Sequence, residues 1–142
     1  SSGRGHLISH INKLYPDAKV TSSDIKRFHQ EKVSAFIKCD LSIVEDRSAL
    51  RASGEYDIVT CTDVLEHLEK HFIADVLKLI SDLSKHAILA IANHSDIWNG
   101  KELHIIQEGN VYWENLITLH FEIIFKQNTY NDRLMLYVLR RI

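Results

Sequence analysis

The sequence predicts an α/β fold, a mostly parallel sheet with helices on both faces, and three observations carry that expectation. Helical and strand-like periodicities alternate along all 142 residues with no linker, repeat or low-complexity tract. The segment Tyr56–Cys61 is rich in branched residues, as in a strand buried within a sheet. Near the end, two strand-like segments flank Asn131-Asp132, a pair suited to the turn of an antiparallel hairpin.

The elements follow in order. After Gly5, residues Leu7, Ile11 and Leu14 fall at helical spacing, and Pro16 stops the helix before an extended stretch from Ala18 to Ser22. Asp24 then lies just beyond a strand. Val33–Lys38 reads as the next strand, ending at Asp40, and a Ser53-Gly54 turn precedes Tyr56–Cys61. Leu65, Leu68, Phe72, Val76, Leu79, Ile80 and Leu83 trace one apolar face, predicting a helix from Asp63 to Leu83. His86–Ala92 reads as a strand and polar loop residues follow from Asn93. A helix over Tyr112–Leu119 precedes the closing strands Phe121–Gln127 and Leu134–Arg140.

Composition excludes several function classes. With 45% hydrophobic residues, the chain suits one domain over residues 1–142. Lysine and arginine total 17 against 19 acidic residues, so a net charge of −2 offers no general attraction for nucleic acid or an anionic membrane. Cys39 and Cys61 lack the spacing of a zinc site and are too few for a disulfide framework, which fits a reducing, cytoplasmic setting. The longest apolar run, Ala87–Ala92, falls far short of the ~20 residues that span a bilayer.

The opening Ser1-Ser2-Gly3-Arg4-Gly5-His6 resembles the second half of the glycine motif of class I S-adenosylmethionine-dependent methyltransferases, with Gly3 and Gly5 in its last two glycine positions. Glycines there let a strand-to-helix turn tighten and bring backbone N–H groups to the ligand. Ser1 stands where the first glycine belongs, and the first strand of that layout is expected upstream of residue 1, or its slot filled by another segment. Residues 1–4 also have the composition of an appended tag, whereas His6 and Leu7 continue the motif.

A longer string, Tyr56-Asp57-Ile58-Val59-Thr60-Cys61-Thr62-Asp63-Val64-Leu65-Glu66-His67-Leu68, closely resembles the same family's fourth-strand signature. The resemblance implies S-adenosylmethionine as cofactor, with a Rossmann-like sheet ending in an antiparallel hairpin. It implies Gly3 and Gly5 at the cofactor's amino acid end, and Cys61, Thr62 and Asp63 along its methionine portion. Asp24, beside Ile25, would accept hydrogen bonds from the ribose diol, and Asp40 with Leu41 would meet adenine. Asp24 and Asp40 have helix capping as the alternative, and Glu66 and His67 have a structural tie between turn and loop.

On the acceptor side, the loop after His86–Ala92 carries His94, Trp98 and His104. A histidine near neutral pKa can take the proton of an attacking hydroxyl, which makes His94 and His104 the candidate general bases, His94 first because it follows its strand most closely. His67 and Trp98 are candidate contacts to a small-molecule or sugar-like acceptor. Trp98, Tyr112 and Trp113 could stack on it, with core packing the alternative for Trp113. No metal is expected: His67, Glu69 and His71 do not form the zinc string His-Glu-x-x-His, and no third ligand is evident. Two rival functions remain, a non-catalytic scaffold of the same fold and a nicotinamide-dependent oxidoreductase. The bulky Ile8 stands where the dinucleotide fingerprint requires a small residue, against the latter. Acceptor identity and oligomeric state are not written in these residues.

Overall fold

A computed structural model describes residues 3–129 and 131–142, so Ser1 and Ser2 of the glycine motif lie outside the described residues. The chain forms two compact units, residues 1–50 and 51–142.

In the first unit the glycine turn leads into α1 (His6–Leu14). Gly3 and Gly5 have φ of 47° and 84°, left-handed values that a Cβ disfavours. Helix α1 buries only Ile8, and the Tyr15 N–H closes its last turn on the Ile11 carbonyl at 2.7 Å before Pro16. Strands β1 (Thr21–Asp24) and β2 (Ala35–Lys38) pair in parallel from Thr21↔Ala35 to Asp24↔Lys38. Strand β1 begins later than expected because the Ala18 N–H bonds the Tyr15 carbonyl (3.0 Å), committing those residues to a turn. Asp24 therefore ends the strand instead of following it. No helix starts at Ile25, so capping is not its role there. Helix α2 (Val44–Ala52) opens with Glu45 and Asp46, charges that suit the positive end of the helix dipole, and the division between units falls within it.

The second unit is built on a mixed sheet, ordered β3 (Val59–Thr62), β4 (His86–Ala92), β8 (Leu134–Arg141) and β7 (Phe121–Thr129). Strands β3 and β4 are parallel, β8 runs antiparallel to β4 along its whole length, and β7 returns antiparallel to β8. The expected closing hairpin is thus present, with Asn131 and Asp132 at φ of 56° and 63°. Met135, Tyr137 and Leu139 alternate into the core from β8, and Ile73, Val76 and Leu77 are fully buried as well. Full burial of an aliphatic side chain is worth about 1.5–3 kcal/mol, so these residues contribute to the unit's stability.

The helix expected over Asp63–Leu83 is interrupted. Asp63 takes φ of 56°, Leu65–His67 form one 3₁₀ turn, Glu69 is extended, and α3 (Lys70–Leu83) begins only then. Its apolar period was continuous, but the Glu66 carboxylate bonds the Ala92 N–H at the end of β4, a tertiary contact that holds the turn out of helical geometry. A short hairpin also appears within the loop after β4, β5 (Ile97–Trp98) with β6 (Lys101–Glu102), turned by Asn99-Gly100 at φ of 50° and 74°. Helix α4 (Asn110–Ile117) buries Trp113 completely, its indole N–H donating to the Glu108 carbonyl at 3.1 Å, so this ring packs in the core.

The two turn glycines should differ when replaced by alanine. A Cβ on Gly3 meets nothing within 4 Å, whereas one on Gly5 would stand 2.8 Å from both His29 Cβ and Glu31 Cγ. Gly3→Ala should cost about 1–2 kcal/mol, the left-handed penalty alone. Gly5→Ala should cost about 2–4 kcal/mol, because overpacking is added. Chemical denaturation of both variants checks this, and equal losses would contradict the packing argument.

Candidate active site

Each unit opens a cleft at the carboxyl ends of its parallel strands, where open α/β sheets place ligands. In the first unit Ile25, Lys38, Asp40, Ile43 and Asp46 line a cleft of about 410 Å³. In the second, Thr62, Asp63, Ala90, Ala92, His94, Arg133 and Leu134 line one of about 590 Å³. Both volumes fall in the roughly 300–1,000 Å³ range of small-molecule sites.

The first unit gathers most of the residues expected around a nucleoside. Asp24 is buried, its Oδ2 accepting the Gly3 N–H at 3.0 Å and its Oδ1 the Ile25 N–H at 2.8 Å. It thus ties the glycine turn to the end of β1. Asp40 Oδ1 accepts from both the N–H and the hydroxyl of Ser42, at 2.9 and 2.7 Å, bonds that hold its carboxyl below the usual range. The apolar walls are Ile25 and Ile43. Leu41 is not among the lining residues, and its carbonyl accepts from Arg47 Nη1 at 2.6 Å.

In the second unit, the sharp turn after β3 sets Thr62 and Asp63 on the cleft, while Cys61 points into the core. Burial pushes the Cys61 thiol up to about 11, which leaves it unreactive near neutrality. His94 lines the cleft. Its Nδ1 must be protonated to donate to the Ser95 carbonyl at 3.0 Å, which leaves Nε2 as a free acceptor. His104 is buried and donates Nδ1–H to the His94 carbonyl at 2.7 Å. Trp98 is 67% exposed on the short hairpin and is not among the residues lining the cleft.

Arg133 and Glu102 escaped sequence reading, whereas Glu66 was singled out there with a structural tie between turn and loop as its alternative. Glu66 is wholly buried, with Oε1 accepting the Ala92 N–H at 2.6 Å, and desolvation pushes its pKa up. Arg133 supplies the cleft's guanidinium. Glu102 gathers the loop around itself, accepting the N–H groups of Asp96 and His104 at 2.8 and 3.0 Å and the Ser95 hydroxyl. The structure also draws His67 beside His104, with ring centroids 4.7 Å apart. His71 stays on the surface near Glu69. The spacing Asp63-x-x-Glu66-His67 was visible in the sequence, but its partner His104 lies 37 residues further on and only the fold joins them.

No protein-family model and no curated protein matches the chain. Solved structures do. A protein from Pyrococcus horikoshii OT3 aligns with a TM-score of 0.75 at 15% identity, over 99% of this chain and 79% of that one. An O-methyltransferase family protein from Burkholderia thailandensis aligns at 0.69 with 14% identity, over 99% and 48%. Human N-acetylserotonin methyltransferase in complex with S-adenosylmethionine aligns at 0.65 with 18% identity, over 99% and 45%, so this chain spans less than half the length of the latter two. The fold is that of the class I, Rossmann-like methyltransferases, as the glycine turn and fourth-strand signature implied. Among the described residues, no helix is long and apolar enough to cross a membrane.

The Glu102 carboxyl, held down to about 2 chiefly by the Ser95 hydroxyl and then the Asp96 N–H, makes a pH prediction. A depressed carboxyl stabilises the fold fully above its ordinary value of 4.5 and loses that contribution as pH falls through about 2. The Tm difference between wild type and Glu102→Gln should therefore be constant near neutrality and shrink between those two values. A pH-independent difference would show that the charge of Glu102 does not hold the loop.

Proposed function

We propose that the chain carries out S-adenosylmethionine-dependent methyl transfer to a small-molecule acceptor, a sugar-like hydroxyl being the best fit, in a cytoplasmic enzyme. Residues 1–142 as one methyltransferase domain belong to the same proposal. The observation that carries it is the placement of acid and base at the carboxyl ends of parallel strands in this fold: Asp24 at the end of β1, Asp63 and His94 beyond β3 and β4.

The residues of the first unit fit the cofactor. The turn at Gly3 presents bare backbone, since a Cβ there would meet open space. Asp24 would hold the ribose diol, Asp40 would face the adenine amino group, and Ile25 and Ile43 would flank the ring. Gly5 lets the turn close over His29. Thr62 and Asp63 would face the methionine portion, and Cys61 would back them from the core.

When bound, the cofactor supplies an electrophilic methyl group on a positively charged sulfur. His94 would accept the acceptor's hydroxyl proton on Nε2, freeing that oxygen's electron pair for the methyl group that the bound cofactor would supply from its sulfonium. His104 supports His94 by donating to its carbonyl, or takes the proton in its place. His67 and Trp98 would contact the acceptor, Trp98 from the hairpin. Alignment of the two reactants contributes up to ~7–11 kcal/mol and a general base ~100–10,000-fold, so the clefts matter more than any one side chain.

Calorimetry with S-adenosylhomocysteine tests this reading. Binding should be weakened roughly tenfold to a hundredfold by Asp24→Ala, the 1.5–3 kcal/mol range of hydrogen bonds to a charged group. His94→Ala should leave it nearly unchanged while lowering turnover. Stabilisation by NAD but not by S-adenosylhomocysteine, or by neither, would overturn the proposal.

A further inference from the structure

We propose that Asp63, Glu66, His67 and His104 form a binding site for a divalent first-row transition-metal ion. Each of the four offers one donor atom, and these atoms all lie within 4.8 Å of one another. The donors are also correctly prepared. His67 donates Nδ1–H to the Leu103 carbonyl at 3.0 Å, and His104 donates Nδ1–H to the His94 carbonyl at 2.7 Å. A carbonyl can only accept, so in both neutral rings the proton resides on Nδ1 and the lone pair on Nε2. This is the outer hydrogen bond that ordinarily fixes a metal-binding imidazole. Both Nε2 atoms stand 3.9 Å from Asp63 Oδ1.

Those separations are too long for hydrogen bonds but near what one ion requires. With metal–ligand distances of about 2.0–2.2 Å, neighbouring donors are roughly 3–3.4 Å apart. The Asp63 side chain, 72% exposed, can close the remaining half ångström by rotation.

An independent observation points the same way. Glu66 is wholly buried, its Oε1 is taken by the Ala92 N–H, and Oε2 is a buried oxygen with no hydrogen-bond partner among the described residues. Such a group is costly to bury unless something cationic meets it. Two carboxyl groups thus converge on two imidazoles. Two nitrogen donors favour a transition metal over magnesium or calcium, which prefer all-oxygen surroundings. The site sits at the carboxyl ends of β3 and β4, and its Asp63 also lines the second cleft. An ion there could bind the acceptor hydroxyl and lower its pKa. That use rests on the methyl-transfer reading, but the existence of the site does not.

The test is calorimetric titration of the chelator-treated full chain with Co²⁺, followed in parallel by visible absorption, with Mg²⁺ as comparator. One equivalent of Co²⁺ should bind, more tightly than Mg²⁺, with absorption bands showing nitrogen ligation. His67→Ala, His104→Ala and Asp63→Asn should each weaken binding by more than the roughly 10–100-fold typical of losing a supporting hydrogen bond. His71→Ala, on the surface nearby, should change nothing. Because His104 is buried, circular dichroism checks that each variant folds, and the exposed Asp63→Asn keeps the test decisive if His104→Ala does not. Absence of Co²⁺ binding, binding unaffected by both His67→Ala and Asp63→Asn, or equal affinity for Mg²⁺ would overturn the site. S-adenosylhomocysteine enters none of these measurements, so failure here is distinct from failure of the methyl-transfer reading.

Discussion

The second unit depends on where Glu66 puts its polar groups. Its carboxylate reaches the Ala92 N–H at the end of β4, and its carbonyl accepts the Ile106 N–H at 3.0 Å. One residue thereby ties the turn after β3 to the strand beside it and to the far end of the long loop. Hydrogen bonds to a charged group are worth about 1.5–3 kcal/mol each, while leaving a buried carboxylate unpaired costs more than that. The turn consequently cannot relax into the helix that its apolar spacing favours. The same constraint carries Asp63 to the cleft and His67 to the side of the His104 ring.

The loop from Asn93 to Ile106 is organised by a different kind of interaction. Glu102 gathers two backbone N–H groups and a hydroxyl from its own neighbourhood, and the Leu103 N–H returns to the Asp96 carbonyl at 2.8 Å. These contacts are local in sequence, so they order the loop without a hydrophobic core of its own. His104 is delivered inward as a result, to 3% exposure, while Trp98 at the hairpin tip remains in solvent. A loop held by charge-assisted bonds near its base keeps that base ordered and leaves its tip open to solvent.

The first unit meets a comparable demand by backbone geometry. Gly5 allows the chain to pass against His29, and Asp24 satisfies the Gly3 N–H that the turn would otherwise leave unpaired. His29 in turn bonds the Ser22 hydroxyl at 3.1 Å, so strand, turn and following loop share one small polar network. The same carboxylate that the sequence marked for a ribose is thus also a structural tie.

Local chemistry along the chain was sufficient to determine the α/β class, the strand His86–Ala92 to its exact ends, the closing hairpin and the glycine turn, because periodicity, branched residues and turn residues act over a few positions. It also marked Asp24, Asp63 and His94 at strand ends. Only the tertiary structure decided the break before α3, the inward seat of His104 and its meeting with His67. The break before α3 and the meeting of His67 with His104 depend on hydrogen bonds 26 and 36 positions apart, Glu66 to Ala92 and His67 to Leu103, while His104 is seated by its bond to the His94 carbonyl, and such pairings leave no periodic trace in the sequence. The spacing Asp63-x-x-Glu66-His67 was present throughout, but a ligand set is a property of distances in space, and its fourth member is brought there by the fold.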